Sequence, residues 1–126
     1  MPFIHIKSLP FESELNINQV LRTIAKEFSQ KTDISLEHIH ATWEYFEPGH
    51  YATHDIAPDV HRSETHVVIV DLLTPDFNDK KTVKQMLRCL AGSISKHAQV
   101  SINQVFINHR QAHSEHVFGD GDIVSW

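Results

Sequence analysis

The sequence predicts an α+β fold: a tandem β-α-β repeat that forms one four-stranded mixed sheet with two helices on one face. Two observations predict it. The chain matches itself at an offset of 66 residues without a gap, and each half passes from a period-two apolar segment to a helical one and back. Ile4 falls on Val70, Ile6 on Leu72, Phe11 on Phe77, Ile24 on Leu90, Phe28 on Ile94, Ile34 on Val100 and Ile39 on Val105. Identities are few, but the apolar register holds from end to end. The repeats span about 2–43 and 68–109 of a single domain, 1–126. A loop, 44–67, joins them and a tail, 110–126, follows.

Each element has its own reason. "PFIHIKSL" alternates with period two, as a half-buried strand does. "NINQVLRTIAKEFSQK" sets Val20, Leu21, Ile24, Ala25 and Phe28 on one helical face, with Ser13 or Asn16 as cap. "LEHIHATWEYF" reads as the second strand. The other half repeats the order: "HVVIVDLL", a helix from about Asn78 to His97 capped by Asn78 or Asp79, then "NQVFINHR". Strand–helix–strand units favour parallel pairing with a right-handed crossover. Alternation then puts Ile4, Ile6, Ile39, Val70, Leu72, Val105 and Ile107 under the helices. The other face takes His5, Lys7, His38, His40, Thr42, Asp71, Asn108 and Arg110, with Phe3, Ile69 and Phe106 among them. That mixture suits a subunit interface enclosing some water. In the tail, "GDGD" signals a turn between "EHVF" and "IVSW", a small hairpin.

Composition narrows the function classes. Of 126 residues, 40% are hydrophobic and 21% charged, which is ordinary for a globular domain. No apolar run approaches the roughly 20 residues of a membrane span, and no signal peptide is legible, so the expected location is cytoplasmic. The net charge is −5 and there is no basic block, which argues against nucleic acid as a partner. The single cysteine, Cys89, falls on an apolar helical position and reads as a buried thiol.

Pro2 raises a chemical possibility. Proline lacks an N–H and is tolerated at a strand's first residue. Methionine is normally trimmed before a small residue, and trimming would leave Pro2 with a free secondary amine, a base no internal residue can supply.

A doubled strand–helix–strand headed by "MPFI", with "NQVFIN" at 103–108, resembles the tautomerase superfamily, nearest its macrophage migration inhibitory factor and 5-carboxymethyl-2-hydroxymuconate isomerase branches. The resemblance covers residues 2–110. It implies a homotrimer with each site at a subunit boundary around the N-terminal proline. It also implies a proton shuttle on a small enol or 2-keto carboxylic acid, without a cofactor. Pro2 is then the general base. Arg110 and Arg62 are candidates for holding the carboxylate, Asn108 for orienting an oxygen, and Phe106 lines the site where the family has tyrosine. His5, His40 and His109 are further candidates. Ile34 stands where migration inhibitory factor has a lysine near the proline, and no arginine lies at 74–77 where the dehalogenases pair two, so the substrate itself does not carry over.

Two other function classes remain open at this level. One is a non-catalytic trimer of the same fold that binds a small ligand or serves a structural role. The other uses the eleven histidines: "HRQAHSEH" spaces His109, His113 and His116 as metal ligands on a helix would be, although here they leave a strand.

Overall fold

A computed structural model describes residues 1–61 and 67–126. Strand β1 (Phe3–Ser8) leads to helix α1 (Ile17–Thr32) and strand β2 (His40–Tyr45). Strand β3 (Val68–Pro75), helix α2 (Lys80–Ala98) and strand β4 (Val105–Ala112) repeat the order. A hairpin of β5 (Val117–Gly119) and β6 (Asp122–Val124) follows. The sheet order is β2-β1-β3-β4. Within each half the strands pair in parallel, and β1 pairs with β3 antiparallel. This is the mixed four-stranded sheet read from the sequence.

The register turns the sequence repeat into a pseudo-two-fold axis. His5 lies opposite Asp71, and these are repeat counterparts. Phe3 pairs with Leu73, so Ile69 pairs with Lys7; Phe3 pairs with His40, so Ile69 pairs with Phe106. The axis passes through the helix layer at Glu27 and Ser93, again counterparts 66 apart, where the serine hydroxyl donates to the carboxylate at 2.6 Å. The details repeat too. Both helices end in a left-handed residue, Asp33 and Gln99. Ser29 donates its hydroxyl to the carbonyl of Ile34, and Ser95 does the same to Val100. Each link then takes one 3₁₀ turn, Leu36–His38 or Ile102–Gln104, before the next strand.

Those turns correct the sequence reading, which made 36–38 and 103–104 extended. After a left-handed cap the chain must drop from the helix layer to the sheet, and one tight turn does so. His38 therefore belongs to the turn and not to the sheet face. Of the alternative caps, Asn16 and Asp79 are used, each accepting from the backbone N–H three residues on.

The helices cover one face of the sheet. Ile4, Ile6, Val70 and Leu72 of the central strands meet Ile24, Phe28, Leu90 and Ile94, all essentially without exposure. Edge residues Trp43, Val105 and Ile107 close the margins half-buried. Cys89 is buried as expected, and burial pushes its thiol pKa up. Between the helices the half-buried Glu27 accepts from the buried Ser93 hydroxyl and pairs with His97 Nε2 at 2.6 Å. The hydrogen bond from Ser93, then that from His97, holds its carboxyl below the usual range. No helix among the described residues is long and apolar enough to cross a membrane.

Replacing Glu27 by Ala leaves the buried Ser93 hydroxyl and His97 without their shared acceptor. We expect a loss of about 1–3 kcal/mol in denaturant unfolding. Because folding lowers the Glu27 pKa, its contribution is present above the ordinary carboxylate pKa and is lost as pH falls through the lowered one. The difference between wild type and Glu27→Ala should therefore shrink on acidification; a constant difference from neutral to strongly acid pH contradicts this.

Candidate active site

Pro2 sits immediately before β1, at the end of the sheet where β3 and β4 finish. Its carbonyl accepts from the N–H of His40 at 3.0 Å, which continues the β1–β2 ladder by one step. The residue is buried. It follows the alternation of Ile4 and Ile6 toward the helix layer, and so approaches the level of Thr74, one residue past the Phe3–Leu73 pair. The amine one residue further out, on Met1, has its pKa lowered by burial, with the negative charge of Asp120 opposing that shift.

Asp120 was not legible as part of this end of the molecule. It forms the hairpin turn with Gly121. Both have positive φ, 52° and 88°, as a two-residue type I′ turn requires. The hairpin reaches the N-terminus because its base is fastened beside the end of β3. Trp126 Nε1 donates to Asp76 Oδ1 at 2.8 Å, the Trp126 N–H donates to Ser114 Oγ, and the Phe77 ring meets the Trp126 ring edge-on. The sequence marked the turn, but only the parallel β3–β4 pairing brings it to Pro2.

Phe106, Asn108 and Arg110 share the open face of β4, all exposed. Arg110 Nε lies 3.5 Å from Asp71 Oδ1 on the neighbouring strand. Its counterpart by the repeat is Glu44, which faces His5 Nε2 at 3.6 Å. His5 also hydrogen-bonds Thr42, the counterpart of Asn108. The face thus carries two sets of three residues related by the repeat, with the cation of one pair, Arg110, on the edge strand and the carboxylate of the other, Glu44, on the opposite edge. Phe3 stacks on His40 beside them, ring centroids 4.7 Å apart. Within one chain, then, the pleat puts Pro2 on the helix side, and Phe106, Asn108 and Arg110 on the other. Arg62 lies outside the described residues.

His109 is on the helix side. Its Nε2 is hydrogen-bonded to the buried Thr74 hydroxyl at 2.7 Å, and burial pushes the imidazole pKa down. The repeat makes this pair equivalent to Trp43 and Ser8, joined by an indole N–H to hydroxyl bond of 3.0 Å. The proline end therefore holds a titratable ring where the far end holds an indole. Reading Trp43 against His109 at the offset of 66 would have singled this histidine out. The spacing of His109, His113 and His116 does not gather them. His113 instead meets Asp76 Oδ2 at 2.9 Å, and His116 packs its ring against that of His113. Among the described residues no three such side chains are grouped to hold a metal ion.

The fold has clear relatives among solved structures. Pt0534 inactivated by 2-oxo-3-pentynoate aligns with a TM-score of 0.79 over 97% of this chain and 94% of that one, at 11% identity. The fold is that of the tautomerase superfamily. The wild-type symmetric trimer of Q0 fused 4-OT aligns at 0.77, covering 97% and 94% at 8% identity. Malonate semialdehyde decarboxylase, solved as wild type, as a proline-to-alanine mutant and in inactivated form, aligns at 0.68 over 94% and 92% at 13% identity. No family model matches the sequence, and no curated protein matches it. The likeness is therefore one of architecture and not of sequence.

Since a carboxylate raises the pKa of a neighbouring amine, Asp120→Asn should lower the pKa of the N-terminal amine. Carbon-13 methylation of the amine followed by an NMR pH titration reads it. An unchanged midpoint would remove Asp120 from this site.

Proposed function

We propose that the chain is a tautomerase-type isomerase in which Pro2, bared by removal of Met1, is the general base on a small enol or 2-keto carboxylic acid. The observation that carries this reading is a buried proline at the head of a central strand in the tautomerase fold. A proline amine is more basic than an ordinary α-amino group, which titrates near 7.7–8.0. Burial disfavours the cation and pulls the pKa toward neutrality, where a base is most effective. Removing Met1 moves the amine one residue inward, to a more buried position than the one where burial already lowers it.

In the proposed reaction the amine takes the proton from the enol oxygen, or from the α-carbon in reverse, and returns it at the other position. The substrate's bonds rearrange, and the amine ends as it began. Asn108 orients the oxygen, Arg110 holds the carboxylate, and Phe106 supplies an apolar wall that excludes water. Arg62 is the second candidate for the carboxylate. Because Pro2 and the Phe106–Asn108–Arg110 face lie on opposite sides of one chain's pleat, the reading takes them from adjacent chains of a homotrimer. The trimeric fused 4-OT and the inactivation of Pt0534 by a 2-oxo acid support the assembly and the substrate class.

The test is the enol–keto interconversion of phenylpyruvate, followed by absorbance, on protein whose mass in solution is measured by light scattering. We expect a three-chain mass and a rate that falls as pH drops through the amine's pKa, since the protonated amine cannot accept. Pro2→Ala should reduce the rate about 10²-fold or more. An unchanged rate in Pro2→Ala sinks the mechanism, and a single-chain mass sinks the shared site.

A further inference from the structure

An open cleft of about 520 Å³ lies on the helix layer, across the sheet from Phe106, Asn108 and Arg110. Lys31, from the last turn of α1, and Lys81, Gln85 and Arg88, from the first half of α2, line it, with Cys89 at its base. Gln85 Nε2 donates to the carbonyl of Lys31 at 3.4 Å, tying the two helices together at this point. The Lys31 ammonium is close enough to bear on the Cys89 thiol.

Three cations thus converge in a chain whose net charge is −5. Among the described residues none of them has a carboxylate within ion-pair distance. Two acids that bear on the cleft are engaged in other bonds. Asp79 bears on Lys81, but its Oδ1 accepts the N–H of Thr82 as helix cap. The two oxygens of Glu27 are held by Ser93 and His97.

The placement runs against helix electrostatics. Lys80 and Lys81 occupy the first turn of α2, which holds no acid, so they face the positive end of the macrodipole. Nor does the fold demand this arrangement. Gln85 and Arg88 have like counterparts in the first repeat, Gln19 and Arg22, but Lys81 replaces Leu15 and Lys31 answers to His97. The full set of cations exists on one side of the pseudo-two-fold axis only.

We propose that this cleft binds a small phosphate compound carrying several negative charges, with Lys31, Lys81 and Arg88 as cationic contacts and Gln85 as a neutral donor. An arginine fork matches phosphate oxygens two at a time, and the lysines add compact point charges. The volume admits two or three linked phosphates. A long polyanion is disfavoured because the rest of the chain is acidic. The inference is independent of any role for Pro2.

Isothermal titration of the full chain with inorganic pyrophosphate, at matched ionic strength in sodium chloride, tests it. We expect saturable binding of one pyrophosphate per chain, weakening as salt rises. Lys81→Glu and Arg88→Glu should each weaken binding at least tenfold, with the first also holding or raising the melting temperature by about 1–3 °C through the helix dipole. Lys26→Glu, the same charge change on α1 outside the cleft, should leave affinity unchanged. Absence of saturable binding at millimolar pyrophosphate, or equal affinity in the cleft variants, would overturn the proposal. So would equal weakening by Lys26→Glu, or orthophosphate binding as tightly as pyrophosphate.

Discussion

The antiparallel pairing of β1 with β3, with His5 opposite Asp71, is the contact on which the rest of the molecule is arranged. Because those residues are repeat counterparts, the pairing sets two β-α-β units about an axis. Both helices must then lie on one face and both β2 and β4 become edges. A slip of one residue would send Ile4, Ile6, Val70 and Leu72 to the open side and expose the core. The same axis brings Glu27 to Ser93. A polar contact at the centre of the helix layer is thus a geometric consequence of the register in the sheet.

The symmetry of the scaffold does not extend to its chemistry. Pro2 and Val68 are counterparts, but the nitrogen of Val68 is an amide inside the chain and can never be a base. Thr74 with His109 answers to Ser8 with Trp43, so of this matched pair of rings the titratable one stands at the proline's end. The hairpin brings Asp120 to that end; its turn has a counterpart in the first repeat, where Thr53 bridges Ile56 through His54 and Asp55, both at positive φ, so that a histidine stands where the second repeat has Asp120. On the proposed reading each chain therefore carries one catalytic end and one that only supports packing. The basic cleft between the helices breaks the symmetry a second time, at Lys81 and Lys31.

Much of this was legible in the sequence because burial imposes period. The alternation of Ile4, Ile6, Val70 and Leu72 and the helical stripe through Ile24 and Phe28 are direct records of the core. The cap residues could be narrowed to two at each helix. What was not legible was set by geometry between elements. The 3₁₀ turns at Leu36–His38 and Ile102–Gln104 come from the step between layers, and extended and turn conformations leave the same apolar pattern there. Asp120 was placed at the proline's end only through the pairing of β4 with β3, which composition does not encode, whereas His109 was already one of several candidate histidines and the same pairing set it against Thr74. The face carrying Phe106, Asn108 and Arg110 was legible from parity. Its position across the pleat from Pro2 follows from the same parity applied to β1.

The most direct measurement compares two forms of the full chain that differ only at the N-terminus. One begins with a free Pro2, verified by intact mass, and the other keeps a short Gly-Ser extension that turns the proline nitrogen into an amide. Both are assayed for enol–keto interconversion of phenylpyruvate, with folding checked by circular dichroism. The account predicts turnover by the free form and loss of turnover by a folded, extended one. Equal turnover by the two would contradict it, since an amide nitrogen cannot serve as the base.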